Sequence, residues 1–172
     1  MLSARVRSGI LHNKVMLRWL WLSVLVIVLD QATKSLATAY LTMHVPVPVL
    51  PMFNLTLVHN TGAAFSFLSE AGGWQRWFFA LVALLVAVVL VRWLAQLRSQ
   101  QVWIAVALAL VLGGALGNVW DRLWLGYVVD FIDVYYGGWH WPAFNIADSA
   151  ISVGAVMLVI DALRGGHKDE QA

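Results

Sequence analysis

Apolar residues fall into four long runs separated by two stretches of different grain and one short connection. The first run starts at Trp19 and, taken through Asp30, Gln31 and Lys34, reaches about residue 37; the others cover about residues 74–94, 102–119 and 144–163. Each approaches the roughly 20 residues that cross a bilayer as a helix. Between the first two runs, over residues 38–73, apolar density drops, and Pro46, Pro48 and Pro51 exclude a regular helix in favour of extended backbone. Phe53, Leu55 and Leu57 alternate there with Asn54 and Thr56 as a short strand, and Asn60-Thr61-Gly62 ends it in a turn. Residues 120–143 form the second stretch, in which a run rich in Val, Ile, Phe and Tyr meets Gly137-Gly138, a hairpin turn. Pro142 stops that hairpin and can start the last helix. The pattern predicts an α-helical integral membrane protein, a single domain of four transmembrane helices with a small β-rich subdomain on one side.

Composition agrees with that pattern: 61% of residues are hydrophobic and 12% charged, far from an ordinary soluble domain. With no cysteine there is no disulfide, thiolate metal site or Cys nucleophile. The net charge of +2 is spread without a basic stripe, which argues against nucleic acid as a partner. Ala37-Thr38-Ala39 resembles a signal-peptide cleavage site, but Asp30, Gln31 and Lys34 make the region before it too polar, so the first run is read as a retained span. Arg5, Arg7, Lys14, Arg18, Arg92, Arg98, Arg164 and Lys168 fall on one side of a four-span arrangement, against Lys34, Arg76 and Arg122 near the other. The positive-inside rule then puts both termini in the cytoplasm and both β-rich stretches outside.

Depth follows from the helical rise. Asn118 lies sixteen residues after Val102, and Asp148 sixteen before Arg164, so each stands roughly 24 Å from the inner boundary of a layer about 30 Å thick. Asp30 lies deeper, at about 18 Å from Arg18. An acid near the bilayer centre costs about 2.5–3.5 kcal/mol on insertion scales and is usually turned inward and paired. Asn118, Asp121 and Arg122 share one helical face, as do Asn145, Asp148 and Ser152. Asp130 sits on a strand just outside the third span, so these groups converge on the outer end of the bundle. Asp121 and Arg122 read as orienting or bracing groups, and Asp30 with Lys34 as a bracing pair. Asp133, on the opposite strand face from Asp130, is expected in solvent, and Asp161 is expected to pair with Arg164. Ser149 and Ser152 are expected to hydrogen-bond across helices.

Two carboxylates held together cannot both ionise cheaply and share a proton, so that one can activate water while the other protonates a peptide carbonyl. Asp130 and Asp148 are therefore the candidate catalytic pair. The five histidines lack HExxH or any other ligand spacing, and no GxSxG elbow is present. Two rivals remain. A proton-coupled transporter favours midplane acids with broken helices and an internal repeat, and neither broken helices nor a repeat is seen. A non-enzymatic assembly factor would use the polar residues only as glue between helices.

The chain resembles the signal peptidase II family, the lipoprotein signal peptidases of bacteria. The resemblance lies in Asp30-Gln31 with Lys34, Asn60-Thr61-Gly62-Ala63-Ala64-Phe65-Ser66, Gly117-Asn118 with Asp121-Arg122, Val129-Asp130-Phe131 and Phe144-Asn145-Ile146-Ala147-Asp148-Ser149. It implies a membrane aspartic endopeptidase with Asp130 and Asp148 as catalytic residues and no metal or other cofactor. It implies that Asn60, Asn118, Arg122 and Asn145 line or brace the site, and that Asp30, Lys34 and Asp121 support the fold around it. The implied substrates are diacylglyceryl-prolipoproteins, cut just before the lipidated cysteine in the bacterial inner membrane among its lipids. Globomycin-like cyclic peptides are the implied inhibitors. Residues 38–73, with the loop around 60–67, are expected to cover the substrate from outside.

Overall fold

The computed structural model describes residues 15–61 and 74–165. A 3-10 turn, Met16–Trp19, leads into α1 (Leu20–Tyr40), followed by α2 (Gln75–Gln96), α3 (Val102–Trp124) and α4 (Ile146–Gly165). All four helices lie in segments long and apolar enough to span a membrane. Strands β1 (Val47–Leu50), β2 (Phe53–Asn60), β3 (Val128–Tyr136) and β4 (Trp139–His140) make one antiparallel sheet in that order. The fold class read from the apolar pattern is the one observed.

The surface of the bundle is that of a lipid-solvated protein. α2 exposes Leu81, Leu85, Val88 and Val89, side chains that only hydrocarbon would solvate without cost. α3 is the hub and packs against the other three helices. Its inner faces carry Ala105, Ala107, Ala109, Gly113, Gly114 and Gly117, small enough for backbones to come nearly into contact. A Cβ on Gly113 would stand 2.8 Å from the Ser23 carbonyl oxygen of α1. One on Gly154 of α4 would stand 2.6 Å from the Ala107 carbonyl oxygen of α3. Ser23 adds a polar stitch, its Oγ donating to the Ala109 carbonyl at 2.7 Å.

Element ends differ from the sequence expectation in ways that shape the site. α3 runs to Trp124, five residues into the stretch read as an outer hairpin. Asp121 stays on the buried face of that last turn, and its carbonyl accepts the N–H groups of Leu125 and Gly126 at 2.7 and 3.3 Å. Gly126, at φ +86°, then takes the left-handed conformation that ends helices. α4 begins at Ile146 rather than 144, because the Phe144 backbone pairs with Ile132 of β3.

Within the sheet, the β2–β3 register slips by one residue between Leu55 and Val58. Before the slip Asn54 faces Asp133; after it Val58 faces Asp130 and Asn60 faces Val128. The bulge thus moves the even-numbered residues of β2 from the Asp133 face to the Asp130 face. Asp133 is not in solvent as expected but buried, since Asn54 and Thr56 cover its face and donate to it at 3.3 and 2.9 Å, with His140 Nδ1 at 2.7 Å. Burial alone would raise its pKa, but the hydrogen bonds from His140, Thr56 and Asn54 hold it below the usual carboxylate range. Gly137 and Gly138, at φ +56° and +88°, make the two-residue turn into β4. At the end of the bundle away from the sheet, Arg164 lies over the Trp103 ring, 6.0 Å from its centroid, rather than against Asp161.

Gly154 provides a test of the packing. Gly154→Ala forces α3 and α4 apart at a backbone contact with Ala107, outside the polar network, at a cost of about 1–3 kcal/mol. The variant is expected to show a lowered thermal midpoint in detergent, and a midpoint equal to wild type would mean that the two helices yield freely there.

Candidate active site

The residues at the end of the bundle that meets the sheet form one hydrogen-bonded network drawn from α1, α3, α4, β2 and β3. Its base is an ion cluster within the bundle. Lys34 Nζ lies 2.7 Å from Asp30 Oδ2 and 2.9 Å from Asp121 Oδ2, with all three side chains at most 3% exposed. Gln31 Nε2 donates to Asp121 Oδ1 at 2.8 Å and to Asp30 Oδ2 at 3.2 Å. The absent side chain of Gly117 makes room for this, because a Cβ there would stand 2.8 Å from Asp30 Oδ2.

Each carboxylate of the cluster also accepts one backbone N–H from a distant element. Asp30 Oδ1 accepts from Ala147 at 2.9 Å, and Asp121 Oδ2 accepts from Val129 at 3.1 Å. These two residues immediately precede Asp148 and Asp130. The cluster therefore holds the backbone next to each candidate acid.

Asp148 occupies the first turn of α4 in a capping box. Its backbone N–H donates to Asn145 Oδ1 at 2.9 Å, and its Oδ2 accepts the Asn145 backbone N–H at 3.3 Å. Its Oδ1 accepts from Asn118 Nδ2 at 2.7 Å. Asp130, on β3 and 1% exposed, accepts from Asn145 Nδ2 at 2.7 Å on Oδ1 and from Asn60 Nδ2 at 3.0 Å on Oδ2. Asn145 thus bonds both acids at once, and its own amide is fixed because Oδ1 is committed to the Asp148 N–H. It also reaches Asn118 Oδ1 at 3.2 Å and the Val129 carbonyl at 3.3 Å. Burial pushes the Asp130 carboxyl up to about 6, and the Asp148 charge adds to the rise against the hydrogen bonds from Asn60 and Asn145.

Asp30, Lys34, Asn60, Asn118, Asp121, Asp130, Asn145 and Asp148 all belong to this network. Arg122 lies at its edge, donating to the Asn118 carbonyl at 3.3 Å and lying over the Phe79 ring of α2 at 5.5 Å. It makes no ion pair with either candidate acid among the described residues. Gln31 was not singled out from the sequence as a site residue; its place one position after Asp30 was the available signal. Ser149 bonds back to the Asn145 carbonyl of its own helix at 2.9 Å, and Ser152 is exposed, so neither links helices as expected. Of the loop at 60–67, only Asn60 and Thr61 lie within the described residues. Among the described residues no group of His, Cys, Asp and Glu converges on a site for a metal ion.

Four spans that gather two acids around one bridging amide have the architecture of a membrane peptidase of the aspartic class. Comparison with known proteins carries this further. The family profile described as signal peptidase (SPase) II matches residues 22–164. The lipoprotein signal peptidase of Pseudomonas paraeruginosa strain PA7 is 57% identical over 158 residues, covering 91% of this chain and 94% of that protein. That of Acinetobacter baumannii strain ATCC 17978 is 60% identical over 150 residues, covering 87% and 84%. A bacterial membrane enzyme solved by the in meso method at 1.9 Å resolution superposes with a TM-score of 0.76 at 33% identity, covering 85% of this chain and 92% of that one. The chain belongs to the signal peptidase II family and is a multi-pass bacterial membrane protein.

The raised pKa of Asp130 has a consequence for stability. Its folded-state value lies above that of a free carboxyl, so protonation favours the fold at low pH and this contribution is lost as pH rises through about 6. Asp130→Asn, which does not ionise, is expected to gain stability relative to wild type between about pH 4 and pH 8, by up to about 3 kcal/mol. Thermal midpoints of the two proteins that stay parallel over that range would show that Asp130 ionises as an ordinary carboxyl.

Proposed function

We propose that this protein is the endopeptidase that removes the signal peptide from diacylglyceryl-modified prolipoproteins, cutting just before the lipidated cysteine, with Asp130 and Asp148 as its catalytic pair. The observation that carries the reading is the double grip of Asn145, which donates to Asp130 from its side chain and to Asp148 from its backbone. Acids separated by 18 positions in the chain are brought to one short amide bridge.

In the working state Asp130 carries the shared proton, consistent with its raised pKa, and Asp148 is the carboxylate. Asp148 takes a proton from a water held between the pair while the water oxygen attacks the scissile carbonyl. Asp130 gives its proton to the carbonyl oxygen, which leaves a neutral gem-diol and an ionised Asp130. Asp148 then passes its proton to the departing amine as Asp130 recovers one from the collapsing diol. The C–N bond breaks, and the pair returns to its starting state. No metal or cofactor enters this sequence. Asn60, Asn118 and Asn145 hold the carboxylates in place, and Arg122 contributes a positive charge near them.

The active site faces the outer side of the membrane, with both termini in the cytoplasm, as the distribution of Arg and Lys indicates. Asp148 stands on the outer end of a span and Asp130 on a strand beyond it. A substrate can keep its acyl chains among the membrane lipids while its peptide bond reaches the pair. Globomycin-like cyclic peptides would compete for the same space between the acids.

Asp130→Asn and Asp148→Asn are each expected to reduce cleavage of a purified diacylated prolipoprotein by at least about 1,000-fold, while insertion and thermal unfolding remain cooperative. Residual turnover near the wild-type rate in either variant would remove that residue from the chemistry. Loss of folding in both would favour a structural role for the network.

A further inference from the structure

Lys34 bonds to neither acid, yet three of the contacts that hold the pair pass through it. We infer that Lys34 is a positioning residue for the dyad, acting on Asp148 through Asn118 and on the backbone of both acids through Asp30 and Asp121. The inference rests on the reading of Asp130 and Asp148 as the catalytic pair.

An ammonium group has three donors and no acceptor. Lys34 directs these to Asp30 at 2.7 Å, Asp121 at 2.9 Å and Asn118 Oδ1 at 2.9 Å. Asn118 can present only its oxygen to such a neighbour, so its NH2 group must turn the other way. That way lies Asp148 Oδ1, at 2.7 Å. A side chain at position 34 that does not donate would leave that oxygen held only by the longer contact from Asn145 Nδ2, at 3.2 Å, and the amide would be held less firmly against the Asp148 carboxylate. The cation thus supplies the shorter of the two donors that orient the hydrogen bond Asp148 receives from a residue on a different helix.

The second route is through the backbone. Lys34 sits between the two buried carboxylates that grip the N–H groups of Ala147 and Val129, the residues just before the acids, and offsets their mutual repulsion. Without the ammonium, Asp30 and Asp121 repel each other across the Gln31 amide. The strand and the helix that carry the pair would then be drawn apart. A merely structural lysine would affect folding; a positioning lysine affects turnover in protein that is folded.

The two cases separate in a background that avoids a net charge change. Lys34→Met combined with Asp30→Asn removes one charge of each sign, and an asparagine at position 30 still offers an oxygen to the Ala147 N–H. Relative to wild type, whose net charge it shares, the double variant is expected to lower kcat for a diacylated prolipoprotein about 10- to 100-fold with KM within about twofold. Adding Asn118→Ala should cost little more, because Lys34 acts through that residue. Lys34→Gln in the same background, which can still donate to Asn118, should recover at least about tenfold of the loss.

Equal kcat in the double variant and in wild type would overturn the proposal. So would equal kcat for the Met and Gln variants, or losses from Lys34→Met and Asn118→Ala that multiply. Unfolding of both double variants while Asp30→Asn stays folded would reduce Lys34 to a folding residue and overturn it as well. Asp148→Asn assayed in parallel tests the underlying reading. If that variant cleaves, the dyad itself is wrong; if it is inactive while the Lys34 variants turn over normally, only the role of Lys34 fails.

Discussion

The structure depends on one ammonium group placed between two carboxylates inside a membrane bundle. Lys34, Asp30 and Asp121 are each excluded from solvent, where an unpaired charge would not survive in ionised form. Removing any one member would strand the others, which is why such clusters are hard to break although they add little net stability. What the cluster does add is uniqueness of arrangement. It ties α1 to α3 directly, α1 to α4 through the Ala147 N–H, and α3 to β3 through the Val129 N–H. The apolar surfaces around it would tolerate sliding; these directional bonds do not.

Above the cluster, the chain solves a local problem and a chemical one with the same atoms. A helix that begins beneath a sheet has N–H groups without partners in its first turn. Asn145 and Asp148 satisfy two of these reciprocally, and Asp30 takes the Ala147 N–H. The capping residue then has its NH2 group free, and that group reaches Asp130. An acid of the candidate pair is in this way also the capping-box partner of its own helix. Its position is set by backbone geometry rather than by a flexible side-chain contact.

How much of this was legible in the sequence depended on the range of the interactions involved. Four spans could be read because each is a local run, and the meeting of Asp130 with Asp148 because helix length alone puts Asn118 and Asp148 at similar depths. Asn145 and Asp148 could be seen to share a face. That Asn145 also reaches a strand could not, since it depends on Phe144 pairing with Ile132 and delaying the start of α4 by two residues. The bulge between Leu55 and Val58 has no glycine to announce it, yet it brings Asn60 to the face of Asp130. Asp133 was placed on the correct strand face and given the wrong surroundings, because alternation says where a side chain points and nothing about what covers it. The extension of α3 to Trp124 was missed for a related reason: a polar Asp121-Arg122 pair looks like the end of a span until its partners inside the bundle are known.

On the proposed reading of Asp130 and Asp148, the division of the pair between a strand and a span suits a lipid-anchored substrate. Were both acids on helices well inside the bilayer, water would be scarce and the ionised partner costly. Were both on the sheet, the scissile bond would have to leave the membrane and pull its acyl chains toward water, at about 0.8 kcal/mol for every methylene exposed. One acid on β3 and one in the first turn of α4 would, on that reading, set the reacting bond at the boundary, where water is available and the chains need not move. That boundary is also where unpaired helix and sheet ends most need polar partners. The network that completes the fold is therefore already at the depth where the chemistry is required, and the two requirements are met by one set of side chains.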